Sequence, residues 1–277
     1  MDQILIKDFT DLLNDVNTNE NTVQEFLEEN TELIPLPILE NHHLHFNCVI
    51  SKLKIGLEVI TDFAYLTKSS DIWRVVLIEL ESPHKSIFKN NTRGYPEFSA
   101  EFNNAVDQIT YWKVYIEENK TAILRQLEKI RVPLEKNKVV FEYVLILGRN
   151  KEKDNFDKRR NMFAEKSETM HIKFMTYDSL ISKYTYYTLV NNEKIILSPC
   201  REMGFKIKKL PKNKIDTSIF SHVYPEYLQV TEEQSERLKK EGYEMDEWKK
   251  NNLLRWDNRK VNIDIATLMK CHHKNQV

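Results

Sequence analysis

The sequence predicts an α/β fold, a mixed β-sheet flanked by helices with a helical appendage at the C-terminus. Three observations carry that prediction. The spacing of apolar residues gives helices, then a meander of strands, a long helix, a strand, a helix and a strand, the element order of an α/β core. The run from Trp73 to Leu80 is almost continuously apolar, as a strand covered on both faces is. After about residue 200 the chain turns charged and sparse in apolar residues, so 1–200 reads as the main domain and 201–277 as a basic linker and appendage.

Each element has its own signal. Residues 2–33 read as two helices, the first spaced by Ile4, Phe9, Leu12 and Leu13, the second by Val23, Phe26, Leu27 and Ile34. Thr22 with Glu25 has the form of a capping box, and Pro35 and Pro37 end this part. Residues 44–54 and 56–66 form the first two strands, with Gly56 at the turn, and 72–81 the third. The polar stretch from Pro83 to Pro96 is long for a structureless loop, a length that often marks function. Phe102, Val106, Ile109, Trp112, Ile116, Ile123 and Leu127 space a long helix, or two stacked ones, over 97–129. Val139–Leu147 is a buried strand closed by Gly148-Arg149. A polar helix over 155–167, a short strand at His171–Met175 and a helix from Tyr177 follow. Trp248 and Trp256, eight apart on one helical face, belong to one or two helices of the appendage and suit burial better than stacking on bases.

The bulk numbers exclude several classes. A hydrophobic content of 41% with 30% charged residues fits a soluble protein, and a net charge of −1 gives no overall field toward nucleic acid. Any nucleic-acid surface must therefore be local. There are 5 glycines and no Gly-rich phosphate loop. Cys48, Cys200 and Cys271 are scattered, which suits a reducing compartment. The N-terminus lacks the pattern of a signal peptide, and no apolar run has membrane-spanning length. The expected location is cytoplasmic, with no membrane contact.

The most informative residues are three carboxylates. Asp62 ends the segment Val59-Ile60-Thr61-Asp62, and Glu79 and Glu81 close the apolar strand at Glu79-Leu80-Glu81-Ser82-Pro83. Burying an acid without a partner is costly, so acids at the end of a buried strand need a reason. Alternation along the strand points Glu79 and Glu81 to one face, and a hairpin pairing brings Asp62 beside them. Acids so placed repel one another unless a cation holds them, and a hard, oxygen-loving ion such as Mg²⁺ does so. The same pair of glutamates also suits an exposed strand end bonded to lysines, but the apolar run before them favours a site. A helix packed on those strands can supply a polar residue, and Gln108 in Ala105-Val106-Asp107-Gln108-Ile109 is the best placed.

Acid, strand, acid and a helix with Gln together resemble the PD-(D/E)XK nuclease superfamily. Five segments in order are similar to the Shedu family, the SduA C-terminal nuclease domains of bacterial anti-phage defence. They are Phe26-Leu27-Glu28-Glu29-Asn30, Glu79-Leu80-Glu81-Ser82-Pro83, Ala105-Val106-Asp107-Gln108-Ile109, Ile146-Leu147-Gly148-Arg149 and Thr176-Tyr177-Asp178-Ser179-Leu180. The resemblance implies a restriction-endonuclease-like core and a DNA endonuclease dependent on Mg²⁺, with Mn²⁺ as a substitute. Asp62 matches the first motif acid and Glu79 the second; with Glu81 they would hold the metal, and Gln108 would orient the site. Glu81 stands where the superfamily usually has Lys. Lys85, or Lys113 on the long helix, is the candidate for the missing charge, with Lys85 favoured. The resemblance also implies DNA as partner and a homo-oligomer, with a tetramer as its candidate size. Sensing of a phage-derived or protein trigger would fall to the appendage or a partner chain. Two rivals stay open: the departure at Glu81 motivates an inert nuclease-fold scaffold or nucleic-acid-binding subunit of a defence complex, and the tryptophan-bearing C-terminal helices suggest a regulatory module that docks a partner.

Other clusters carry less. His42, His43 and His45 lack a Cys or acid at zinc spacing, as do Cys271, His272 and His273. Lys206, Lys208, Lys209, Lys212 and Lys214 suit phosphate contacts or a solvated face equally, as do Arg149, Arg159 and Arg160.

Overall fold

The structure is a computed structural model that describes residues 2–56, 59–90, 95–154, 156–186, 192–201, 204–213 and 218–255. The helices are α1 (Gln3–Asn14), α2 (Glu20–Glu29), α3 (Ala100–Leu127), α4 (Asp157–Met170), α5 (Tyr177–Tyr186), α6 (Glu232–Lys240) and α7 (Met245–Lys249). The strands are β1 (Leu44–Ser51), β2 (Lys54–Ile55), β3 (Val59–Ile60), β4 (Phe63–Lys68), β5 (Ile72–Leu80), β6 (Lys138–Ile146), β7 (Lys173–Met175), β8 (Ile195–Cys200), β9 (Gly204–Lys209) and β10 (Leu228–Gln229). One eight-stranded sheet runs β10-β9-β8-β1-β4-β5-β6-β7, and β2 with β3 forms a separate ribbon. β4 pairs with β5 antiparallel, β5 with β6 parallel and β6 with β7 parallel, so the sheet is mixed as expected.

Strand β5 shows why the sheet is buried on both sides. Trp73, Val75 and Leu77 face the apolar cluster under α3, to which Phe102, Val106, Ile109, Trp112 and Ile116 contribute. Val76, Ile78 and Leu80, alternating with them, face the cluster formed with α1, α2 and α5 through Phe9, Leu13, Val23, Leu27 and Leu180. The long apolar run predicts this sandwich, and α3 is one continuous 28-residue helix rather than two stacked ones. Its Ser99 side chain accepts from the Phe102 amide and caps the start. The second helix is capped three residues earlier than its sequence suggests: Asn19, not Thr22, is the N-cap and accepts from the Thr22 amide.

Two expected strands, 44–54 and 56–66, are each broken. β1 ends at Ser51, Lys52 takes a positive φ of 50°, and the chain leaves the sheet for the β2–β3 ribbon. It returns at β4, so Asp62 lies in the break between β3 and β4 rather than inside a strand. The break is held by backbone bonds from the Lys52 amide to the Asp62 carbonyl and from the Thr61 amide to the Leu53 carbonyl, both 3.0 Å. Asp62 is thereby fixed at the sheet end.

The expected boundary at 200 falls inside the β8–β9 hairpin, whose strands belong to the main sheet. Phe205 and Ile207 point inward, alternating with the exposed Lys206 and Lys208, so what reads as a charge run is an amphipathic strand. Leu238, Met245 and Trp248 share the apolar cluster of α3 and β5. Trp248 is 2% exposed, meets Phe220 edge-on with centroids 5.1 Å apart and donates its Nε1 proton to the Val223 carbonyl at 2.9 Å. Lys214, Trp256 and Cys271–His273 lie outside the described residues. Trp248→Ala is expected to lower stability by ~3–5 kcal/mol, the scale for truncating a buried aromatic. Urea unfolding measures it, and a loss below ~1 kcal/mol would mean that α7 is not part of this core.

His45 is a packed histidine. Its ring lies tilted against Phe46, stands edge-on to Trp73 and bonds the Ile130 carbonyl at 2.9 Å, and burial pulls its pKa down to about 3. Among the described residues no helix is long and apolar enough to cross a membrane.

Candidate active site

Asp62 and Glu79 meet because of strand register. Phe63 pairs with Ile78, so one step further along the antiparallel pair Asp62 falls opposite Glu79. Both are buried, at 3% and 7% exposed, and Glu81 at 5%. Asp62 is held through both carboxylate oxygens and its carbonyl. Its Oδ2 accepts from the Leu80 amide at 2.7 Å, its Oδ1 takes Lys52 Nζ at 2.5 Å, and its carbonyl lies 3.4 Å from Gln24 Nε2. The alternation that aims Trp73, Val75 and Leu77 at α3 aims Glu79 there as well, and Gln108 on α3 donates through Nε2 to Glu79 Oε1. The other oxygen, Oε2, is buried with no hydrogen-bond partner. Burial, then repulsion from Asp62, Glu20 and Glu81, pushes the Glu79 pKa up to about 10 against the weaker pull of Lys52.

Glu81 is one residue past the strand, with its amide still on the ladder to the Ile146 carbonyl at 2.8 Å. Lys85 Nζ donates to Glu81 Oε2, so the favoured lysine is at the acids. Lys113 is not: its ammonium donates to the Met170 and His171 carbonyls and lies 5.0 Å from the Tyr143 ring centroid, tying α3 to the end of α4. The loop that carries Lys85 is anchored in turn. The Ser86 amide donates to Glu101 Oε2, and the Ile87 and Phe88 amides to Glu152 Oε2.

Several residues of this site have no mark in the sequence. Glu20, the first residue of α2, is half-buried, and its pKa is raised by burial, then by Asp62 and Glu81. It is a fourth acid at the same end of the sheet. An acid in the first turn of a helix is ordinary there, because it suits the helix dipole, so nothing flags it. Lys52 sits in a turn ten residues before its partner. Tyr177, by contrast, lies in one of the five resemblance segments; fully buried, it donates its hydroxyl to the Glu81 carbonyl at 2.6 Å and fixes the backbone between the two glutamates and the loop.

The remaining resemblance segments acquire physical reasons. Gly148 has φ +60°, and a Cβ there would stand 2.9 Å from the Lys85 carbonyl oxygen, so only glycine lets β6 approach that loop. Arg149 clamps Asp178 through Nε and Nη2 at 2.8–3.1 Å and reaches the Leu13 carbonyl at 3.0 Å, joining α1 to α5 below the site. Burial would raise the Asp178 pKa, but Arg149 and the Asn150 amide keep it low. Glu28 accepts from Ser51 and from Lys208.

The donor set around Glu79 is oxygen only, which fits a hard divalent cation. Among the described residues no three His, Cys, Asp or Glu side chains form a ready-made metal cage. The expected convergence therefore reduces to Asp62 facing Glu79, with Glu81 held by Lys85. Mg²⁺ is commonly held by one or two carboxylates together with water and substrate phosphate oxygens, so a pair with one unpartnered buried oxygen is a sufficient protein contribution. No curated protein matches the chain. Residues 17–181 match the family described as Shedu protein SduA, C-terminal, a stretch that contains α2, Asp62, both glutamates, Gln108 and the Gly148–Asp178 framework. The chain belongs to the Shedu SduA C-terminal family.

Proposed function

We propose that the chain is a metal-dependent DNA endonuclease of anti-phage defence. Its family is one of nuclease-like domains in antiviral defence. The observation that carries the finer reading is Glu79: a buried acid, opposite Asp62, oriented by Gln108, with one oxygen left unpartnered. A protein gains nothing in stability from such a group, and sites of strongly shifted pKa in a cluster of acids are functional candidates.

Asp62 and Glu79 would hold Mg²⁺, with Mn²⁺ as substitute, and Glu81 is the third acid at the strand end. When bound, such an ion supplies Lewis-acid charge at a phosphate and a more acidic water. Gln108 holds Glu79 Oε1, which leaves Oε2 as the free donor. Lys85, beside Glu81, supplies the positive charge that the usual motif lysine would bring near developing charge on the phosphate. Tyr177 keeps Glu81 and its loop in place. DNA is the proposed partner and a homo-oligomer the proposed assembly, with a tetramer as the size to test by light scattering, released by a phage-derived or protein trigger. The free thiols of Cys48 and Cys200 support a cytoplasmic setting.

One observation favours a second reading, an inert scaffold or nucleic-acid-binding subunit: Glu81 stands in the lysine place and is paired with Lys85. Calorimetric titration with Mg²⁺ and Mn²⁺ separates the two readings. The enzyme binds metal and cuts plasmid and linear phage DNA with Mg²⁺ but not with EDTA. Protein that binds no metal and cuts nothing under any condition would leave the scaffold standing. Lys85→Met retaining the full rate would remove that lysine from the assignment.

A further inference from the structure

A basic groove of about 860 Å³ opens beside the acids, between the β1–β2 turn, the C-terminal end of α3 and the β8–β9 hairpin. Seven of its fifteen lining residues are Lys or Arg and one, Glu226, is acidic. The chain as a whole carries a net charge of −1, so this is a concentration of charge and not a reflection of the average. Lys54, Arg125, Arg201 and Lys206 are exposed and make no ion pair among the described residues. Uncompensated cations that crowd a concave wall repel one another, and a polyanion relieves that repulsion. The wall is also built rather than loose. Gln126 Nε2 donates to the Lys54 carbonyl at 2.7 Å, tying α3 to β2, and Lys129 lies 4.3 Å from the Tyr227 ring centroid.

The groove is continuous with the site. Lys52 lines it and holds Asp62 Oδ1 at 2.5 Å, and Lys208 lines it and holds Glu28. Arg201, Lys206 and Lys208 lie beyond residue 181, where the family match ends, so the match does not assign this surface. Alternation on β9 explains how the lysines divide: Lys206 and Lys208 turn to the groove, while Lys209 goes to Glu29 on α2.

We infer that this groove carries the phosphodiester backbone of the DNA strand as it leaves the acid site, with Lys52 at the junction. The inference rests on the nuclease reading for the identity of the polyanion. Its contacts are to phosphate, so binding through it is independent of base sequence and steep in salt.

The test measures binding of the full chain to a fluorescent DNA duplex by anisotropy, in EDTA so that nothing is cut, over a salt series. Arg125→Ala/Arg201→Ala/Lys206→Ala is compared with wild type and with Lys158→Ala on α4, at the opposite edge of the sheet. Expected are a loss of affinity of at least ~10-fold for the triple variant and a salt slope shallower by about 2–3, near one per phosphate contact removed. Lys158→Ala should match wild type. Wild-type binding that the triple variant leaves unchanged would overturn the groove while sparing the nuclease reading. A wild-type chain that does not bind the duplex and does not cut DNA with Mg²⁺ would overturn both. Lys206→Glu alone, which reverses one exposed charge, should weaken binding further than Lys206→Ala if phosphate lies there.

Discussion

Glu79→Gln is expected to abolish cleavage and, in the absence of metal, to raise the melting temperature. The two effects have one cause. Glu79 has its pKa pushed from an ordinary 4.5 to about 10 by burial and by Asp62, Glu20 and Glu81. An acid whose folded pKa is raised binds more protons in the native state than in the unfolded state at every pH between those two values. Stability therefore falls as pH rises through that window, by up to ~1.4 kcal/mol per unit. At pH 7 this one group costs the wild type roughly 3 kcal/mol relative to a neutral isostere. The amide that replaces the carboxylate cannot ionise and still offers an oxygen to Gln108, so it removes the cost. At ~2–4 °C per kcal/mol the variant should melt several degrees higher in EDTA at pH 7–8, with the difference shrinking toward pH 5.

Saturating Mg²⁺ should reverse the order. The wild type gains stability by linkage to a bound ligand, and the variant, short of one donor, gains little. Thermal melts at pH 5 and pH 8, each with EDTA and with Mg²⁺, give all four numbers, and cleavage of plasmid DNA gives the fifth. A variant that melts below wild type at pH 8 in EDTA would show that Glu79 is satisfied in the folded state and would remove the main reason for calling it a ligand. Such exchange of stability for a strained, functional group is the usual relation between the two.

What could be read from the sequence divides along a physical line. Glu79 and Glu81 were legible because a buried strand ending in acids violates an expectation of local patterning. Gln108 was legible only through its place on the helix that follows the acids. Glu20 and Lys52 were not, because an acid at a helix start and a lysine in a turn are unremarkable locally and meet the site only through tertiary packing. The same limit hid β9: Lys206 and Lys208 alternate with Phe205 and Ile207, but the lysines dominated the composition and the strand read as linker. Asn19 displaced Thr22 as the cap because only the start of α2 in three dimensions decides which oxygen reaches the free amides. Lys113 failed as a candidate for a comparable reason, its helical phase turning it toward α4 instead of the acids.

Asp62 should respond in the opposite sense from Glu79, and the contrast tests the site as a unit. Asp62→Ala removes the acceptor of the buried Leu80 amide, a loss of ~1–3 kcal/mol for a stranded donor, and releases Lys52 from its ion pair. It should therefore destabilise where Glu79→Gln stabilises. Asp62→Asn can keep a carbonyl oxygen on the Leu80 amide and so isolates the charge from the scaffold. Removing partners that only support metal ligands commonly costs ~10–100-fold, so loss of a direct ligand should lower cleavage by more than ~10²-fold and shift the Mg²⁺ requirement upward. Removing the Asp62 charge also removes one of the causes that raise the Glu79 pKa, so Glu79 costs less once Asp62 is gone. In the double variant the stability effects should fall short of their sum, as expected of groups in contact. Cleavage rates over a Mg²⁺ series, urea midpoints and protection of cells from phage would be read for Asp62→Ala, Asp62→Asn and Asp62→Asn/Glu79→Gln. Undiminished metal-dependent cleavage and protection by Asp62→Ala would place the chemistry elsewhere, however well the acids are arranged.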